Sequence, residues 1–273
     1  MKPHRHLSGA AGGRDGGNSL RRSKKRSGSG ETHAPRDGVI LYGWHTVKAA
    51  LENPQRRIRR LLATENAARR LADEGVPLRV AIEPVRPEMI ARRLSPDAVH
   101  NGVLAEADPL PSPGLDEIAT GDLMLVLDQI TDPHNVGAIL RTAAAFDVGA
   151  VLTTARHSPQ ASGALAKSAS GALEYVPLIT VQNLARAIAQ LREGGFLVIG
   201  LDSSGENDLA DTAVRAPLAL ILGAEGEGLR QLTRASADCL ARLELPGRIK
   251  SLNVSNAAAL ALYIARKRLV EPA

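Results

Sequence analysis

Apolar positions divide the chain into two regimes. Residues 1–37 hold almost no large apolar side chains, are rich in Gly, Ser, Arg and Lys, and cannot bury enough surface to fold by themselves. Short apolar runs take over from Val39. Val39–Tyr42 is β-prone and leads into an amphipathic stretch, Trp44–Leu51. Ile58–Thr64 and Leu78–Ile82 read as strands with a helix over Glu65–Glu74 between them, its end marked by Gly75 and Pro77. Val103–Glu106 predicts a last strand, so residues 38–108 make a small α/β unit. The proline-rich run Asp108–Gly114 is stiff and lacks helix potential, which places a linker over 109–120.

Over 121–273 the pattern changes to strand–helix alternation. The runs Leu123–Leu127, Ala150–Thr153, Phe196–Leu201, Leu218–Leu222 and Cys239–Leu245 are continuously apolar, as for strands covered on both faces of a parallel sheet. Helices are expected over 136–147, 162–172, 183–193, 227–237 and 254–269. This alternation predicts a doubly wound α/β domain.

Composition narrows the class. One cysteine, Cys239, among 273 residues excludes a disulfide framework and suits a reducing compartment. No apolar run reaches the roughly 20 residues of a membrane-spanning helix, and the N-terminus lacks the apolar core of a secretory signal, so a cytosolic protein without membrane partners is expected. The net charge of +5 is unevenly spread. Nine basic and three acidic groups make residues 1–38 +6, leaving residues 39–273 at −1. The tail cluster Arg21–Arg26 is read equally well as an RNA-affinity aid or a solvated extension. Four arginines, Arg56, Arg57, Arg59 and Arg60, form a second cluster in the leading unit, on which RNA binding is expected to draw. Six aromatics are too few for a chain built on base-stacking platforms.

Ligands of open α/β sheets bind at the carboxyl ends of the strands, and three segments there stand out. In Asp128–Arg141, Asn135 is a plausible cap for the next helix. Arg141 lies about 1.7 turns further on and need not point the same way. From that segment alone, a cap and a surface arginine are the preferred reading. Leu222–Leu229 carries three glycines in six positions, but as G-x-x-G-x-G, which is neither the dinucleotide nor the phosphate-loop fingerprint. A nucleoside-type ligand and a plain tight turn are equally open. Ser251, Asn253, Ser255 and Asn256 crowd the start of an Ala/Leu helix where one cap would suffice, and the surplus favours binding. The histidines His45, His100, His134 and His157 lack metal-ligand spacing, so no metal is expected. His45 and His100 read as structural, and Cys239 as inert core.

In this order the three segments resemble the SpoU/TrmH-type RNA ribose 2′-O-methyltransferases of the SPOUT superfamily. The match runs through Asn135-Val-Gly-Ala-Ile-Leu-Arg141, Gly223-Ala-Glu-Gly-Glu-Gly228 and Ser251-Leu-Asn-Val-Ser-Asn-Ala257. Tyr42-Gly-Trp-His-Thr-Val47 and His100-Asn-Gly-Val103 make the leading unit similar to the ribosomal-L30-like substrate-binding domain of the ribosomal-RNA branch. The resemblance implies a parallel sheet with a C-terminal trefoil knot that holds S-adenosylmethionine through backbone groups, and a homodimer acting on structured RNA. The target it implies is a guanosine of 23S ribosomal RNA. Carried over, Leu222, Gly223, Ala224, Leu243, Leu245 and Leu252 hold the cofactor. Asn135, Arg141, Glu225, Ser251 and Asn253 form the catalytic set, with Arg141 nearest the reacting hydroxyl. One departure is visible: an Ile-Pro-Met-like stretch usually precedes the third motif, and here Leu243-Glu-Leu stands in its place. A transfer-RNA ribose methyltransferase is the alternative within this class. An inactive RNA-binding scaffold and a nucleotide-dependent dehydrogenase are the alternatives outside it, the last disfavoured by its glycine spacing.

Overall fold

The structure, a computed structural model, describes residues 38–117, 122–155 and 163–270. The expectations for the tail over 1–37 and for the C-terminal part of the linker lie outside these residues.

The leading residues build a four-stranded sheet in the order β1-β4-β2-β3 from β1 (Val39–Tyr42), β2 (Ile58–Ala63), β3 (Ile82–Pro84) and β4 (Val103–Ala107). β4 is antiparallel to both β1 and β2, while β2 and β3 are parallel. Helices α1 (Trp44–Glu52) and α2 (Glu65–Asp73) cover it, Trp44, Val47, Leu51, Ala67 and Leu71 packing on Leu41, Leu61 and Ala105. Thr64, expected as the end of a strand, instead caps α2 by accepting the Ala67 N–H. The strand expected over Leu78–Ile82 shares only Ile82 with β3, and a short helix α3 (Pro87–Ala91) follows unforeseen. Pro87 at its first turn gives no apolar period but pre-sets the helical φ.

The second sheet has seven strands, all pairs parallel, in the order β7-β6-β5-β10-β8-β11-β9. Its members are β5 (Leu123–Asp128), β6 (Ala150–Thr154), β7 (Leu178–Val181), β8 (Leu197–Leu201), β9 (Asn207–Asp208), β10 (Leu218–Gly223) and β11 (Cys239–Arg242). Strand pleating sends Leu123, Leu125 and Leu127 to one face, under α4 (Pro133–Ala145), α5 (Gly163–Ser168) and α8 (Val254–Val270). Met124 and Val126 face the other side, under α6 (Leu184–Glu193), near which α7 (Gln231–Ser236) packs. Burial on both faces explains the unbroken apolar runs.

Three expectations are corrected here. The helix over 162–172 is α5 plus a 3₁₀ turn at Ala172–Glu174, because Ser170 and Gly171 take positive φ. The helix over 227–237 shrinks to Gln231–Ser236, since Gly228 belongs to a turn with φ 66°. The run Cys239–Leu245 stops pairing at Arg242. β7 and β9 were not foreseen, and β9 has only two residues.

The two sheets are joined by a buried ion pair. Arg56 donates from Nη2 to Glu174 Oε1 at 2.6 Å and from Nη1 to the Asp108 carbonyl at 2.8 Å, while Asn53 Nδ2 donates to Glu174 Oε2 at 2.8 Å. The side chains of Arg56 and Glu174 are only 4% and 2% exposed.

Candidate active site

β5 and β10 lie side by side at the centre of the large sheet, with Asp128 level with Gly223, and the chain leaves them toward opposite edges. That is the switch point at which open α/β sheets bind ligands. The first motif enters here on α4. Its cap is Asp132, whose Oδ1 accepts the His134 N–H at 3.0 Å, with Pro133 opening the helix. Asn135 therefore does not cap, contrary to expectation, and its side chain is released for other contacts.

The second motif is a tight turn. The Gly228 N–H donates to the Ala224 carbonyl at 2.9 Å, and a Cβ on Gly223 would stand 2.2 Å from the Gly228 carbonyl, so only glycine closes it. The turn is tied down by a contact the sequence did not announce. Asp128, fully buried, accepts Arg230 Nε at 2.7 Å, Arg230 Nη2 at 2.6 Å and the Arg230 N–H at 3.1 Å. A lone acid ending an otherwise apolar strand was the signal that could have found it.

The third motif joins the other two. Asn253 is the cap of α8, its Oδ1 accepting the Ser255 N–H at 2.9 Å and the Ser255 hydroxyl at 2.6 Å. A backbone N–H can only donate, so the amide cannot be turned over, and Asn253 Nδ2 must face the opposite way. There it donates to Asn135 Oδ1 at 3.0 Å and to Glu225 Oε1 at 2.7 Å; Glu225 Oε1 also accepts the Val254 N–H at 2.9 Å. Asn135 is thereby committed as acceptor inside the cluster. Its own amide hydrogens and the second oxygen of Glu225 have no hydrogen-bond partner among the described residues.

Arg141 and Ser251 are not drawn into this cluster. Both are exposed, without a side-chain hydrogen-bond partner among the described residues. Arg141 lies six positions beyond Asn135 on α4, about 9 Å along the axis and on another face. The two candidate roles of Asn253 and Ser255, capping and binding, are partly one: both serve the cap, while Ser251 and Asn256 stay exposed.

Of the residues assigned to a cofactor, Leu222 is buried, Gly223, Ala224, Leu243 and Leu245 are half-buried, and Leu252 is exposed at the start of α8. Glu244, the departure from the family pattern, points into solvent with its carboxylate accepting Arg242 Nε at 3.0 Å. A cavity of about 600 Å³ lies elsewhere, walled by Leu41, Pro109, Leu173, Tyr175 and Leu178, and contains none of the three motifs.

The arginine cluster of the leading unit is largely engaged by the protein itself, which corrects its reading as an RNA-binding patch. Arg56 is buried on Glu174; Arg59 pairs with Asp108, and Arg60 with Glu83 at 2.6 Å and Glu106 at 3.1 Å. Arg57 alone of the four is largely exposed. His100 is structural, its Nδ1 accepting the Gly102 N–H at 3.0 Å, but His45 is exposed rather than buried. Burial and then the Asp238 charge push the Cys239 thiol up, which suits an inert residue.

Comparison with known proteins bears on the whole arrangement. The profile of the SpoU rRNA Methylase family matches residues 122–263, and that for RNA 2′-O ribose methyltransferase substrate binding matches 40–113. The 23S rRNA (guanosine-2′-O-)-methyltransferase RlmB of Ralstonia nicotianae is 40% identical over 246 residues, 86% of this chain and 98% of that one. Its namesake from Pseudomonas putida is 37% identical over 243 residues, covering 85% and 97%. The SpoU methyltransferase AviRb from Streptomyces viridochromogenes superimposes with a TM-score of 0.73 at 23% identity, over 86% of this chain and 90% of that one. A TrmH-family protein of Porphyromonas gingivalis gives 0.72 at 26% identity, over 85% and 90%.

Proposed function

The chain belongs to the SpoU rRNA methylase family, and from that premise we propose that it methylates the ribose 2′-hydroxyl of a guanosine in 23S ribosomal RNA, using S-adenosylmethionine. One observation carries the site assignment: Asn135, Glu225 and Asn253, one from each motif, meet within hydrogen-bonding distance at the switch point of the sheet. The match of residues 40–113 to a substrate-binding profile supports RNA as the partner.

The residues present fit the cofactor. Gly223–Gly228 closes on itself through Gly228, and the charges carried by that turn are Glu225 and Glu227. Main chain, small side chains and the leucines at 243, 245 and 252 suit a neutral purine and a cationic sulfonium, and offer no cradle for phosphates. When bound, S-adenosylmethionine supplies the electrophilic methyl group. Leu222, Gly223, Ala224, Leu243 and Leu245 would hold it through backbone groups, with Leu252 against its apolar surface. The loop over 243–253, returning from β11 to Glu225, supports reading it as the threaded part of the family's trefoil knot.

The remaining residues act on the RNA. Asn135, its acceptor oxygen occupied by Asn253, presents its amide hydrogens to ribose or phosphate oxygens. Glu225 fixes Asn253 and the first N–H of α8, so it holds the third motif in place rather than moving a proton. Arg141, exposed and unpaired among the described residues, neutralises charge developing on the 2′-oxygen. A guanidinium keeps its proton at any physiological pH, so electrostatic stabilisation suits it better than general-base work. Ser251 contributes a hydroxyl at the substrate edge. Assembly as a homodimer in the cytoplasm completes the reading, supported by the outward apolar residues Leu260, Tyr263 and Val270 of α8.

Arg141→Ala is expected to abolish methyl transfer while S-adenosylmethionine affinity stays within a few-fold by calorimetry. Full activity in that variant overturns the assignment. Mapping of 2′-O-methylated ribosomal-RNA positions in cells with and without the protein tests the substrate; a lost transfer-RNA methylation would redirect it.

A further inference from the structure

Glu244 stands where the family pattern places proline, and the structure shows what the exchange provides. Proline has no N–H; the Glu244 N–H donates to Asp208 Oδ2 at 2.5 Å. Asp208 belongs to the two-residue β9, paired with β11 through Arg242, and its second oxygen accepts the Ala210 N–H at 2.7 Å. The same segment grips the end of β11 at three further points. The Leu209 N–H donates to the Arg242 carbonyl at 2.8 Å, and Arg242 Nη1 donates to the Gly205 carbonyl at 3.0 Å. Gly205 lies so close that a Cβ would stand 2.6 Å from the Ala241 carbonyl carbon. The backbone is thus held up to residue 244; beyond it, within the loop over 245–253, Lys250 Nζ donates to the Leu245 carbonyl at 2.6 Å.

We propose that Asp208 is a positioning residue for the cofactor loop: its carboxylate anchors the Glu244 N–H and sets the path of Leu243–Leu245. The Glu244 side chain takes no part, being held in solvent by Arg242. This rests on the cofactor assignment made above. A bond from a main-chain N–H to a charged carboxylate is among the stronger hydrogen bonds, so its loss should be measurable.

Asp208→Asn is the informative variant, because the asparagine oxygen stays with the Ala210 N–H two residues on, as in an Asx turn, and leaves the Glu244 N–H facing the amide NH2. Hydrogen exchange of the cofactor-free protein is expected to show residues 243–250 exchanging about tenfold faster. S-adenosylmethionine should bind about tenfold more weakly by calorimetry, with kcat at saturating cofactor within threefold. Glu244→Pro in the Asp208→Asn background should restore both, since proline restricts the backbone without needing the acceptor. Unchanged exchange and affinity in Asp208→Asn overturns the proposal, as does failure of Glu244→Pro to rescue a folded double variant. If the unaltered protein binds no S-adenosylmethionine, the functional reading falls, while the exchange measurement still decides whether Asp208 anchors the loop.

Discussion

The Arg56–Glu174 pair allows a quantitative test of how the two sheets are held together. Both side chains are almost fully buried, and Glu174 accepts hydrogen bonds from Arg56 and Asn53. Glu174→Gln keeps the volume and one acceptor but leaves the Arg56 guanidinium without its counter-charge. Breaking a buried pair in this way costs about 3–5 kcal/mol, because the surviving charge stays desolvated. For a fold of this size, 1 kcal/mol moves the melting temperature by roughly 2–4 °C, so a fall of at least about 6 °C is expected. Replacing both partners, Arg56→Met with Glu174→Leu, removes both desolvation penalties and should come within about 1 kcal/mol of the unaltered protein. Urea denaturation followed by circular dichroism measures the three proteins. A loss below about 1 kcal/mol in Glu174→Gln, or a double variant weaker than the single one, would refute the picture of a desolvated pair.

Other perturbations address the site and the surface. Asn253→Asp keeps an acceptor for the Ser255 N–H but sets a carboxylate oxygen against Glu225 Oε1; the melting temperature should hold within a few degrees while methyl transfer falls at least tenfold, and a fully active variant would remove Asn253 from the site. Arg230→Ala leaves the buried Asp128 without its guanidinium and should cost about 3 kcal/mol in urea titration, with weakened cofactor affinity; an unperturbed midpoint would show the clamp to be dispensable. Hydrogen bonds from Lys48 and Arg70 hold the Glu74 carboxyl below the usual carboxylate range, and Arg60 does the same for Glu83. A depressed folded-state pKa stabilises the fold fully above the unfolded value of 4.5 and loses that effect as pH falls below it. Melting temperature should therefore drop between pH 5 and 3, less steeply in Glu83→Gln; identical profiles would show the pairing to be inconsequential.

Comparison of the two levels of description separates what periodicity reports from what it cannot. The large sheet was legible because β5, β6, β8 and β10 are covered on both faces, which forces unbroken apolar runs. β3 was misplaced because Leu78 and Val80 alternate with Arg79 as in a half-buried strand, yet pairing with β2 begins only at Ile82. Residue type flagged Asn135, Glu225 and Asn253, but their convergence is a property of three strand ends that are 28 to 118 residues apart. The arginine cluster misled for the converse reason: composition counts charges, while Glu174, Asp108, Glu83 and Glu106, distant in sequence, decide which of them are available. Glu244 could be noticed as a departure, but its meaning lay in the backbone N–H rather than in the carboxylate.

Asn253 joins the three motifs and caps α8 with one side chain, and this orders events during synthesis. Asn135 and Glu225 precede Asn253 by 118 and 28 residues, so the first motif waits through much of translation for the residue that joins it to the second. Only when the chain has passed β11, folded back along Asp208 and started α8 can the amide bridge form. In a newly made chain the three-motif cluster would hence be complete only once α8 has docked.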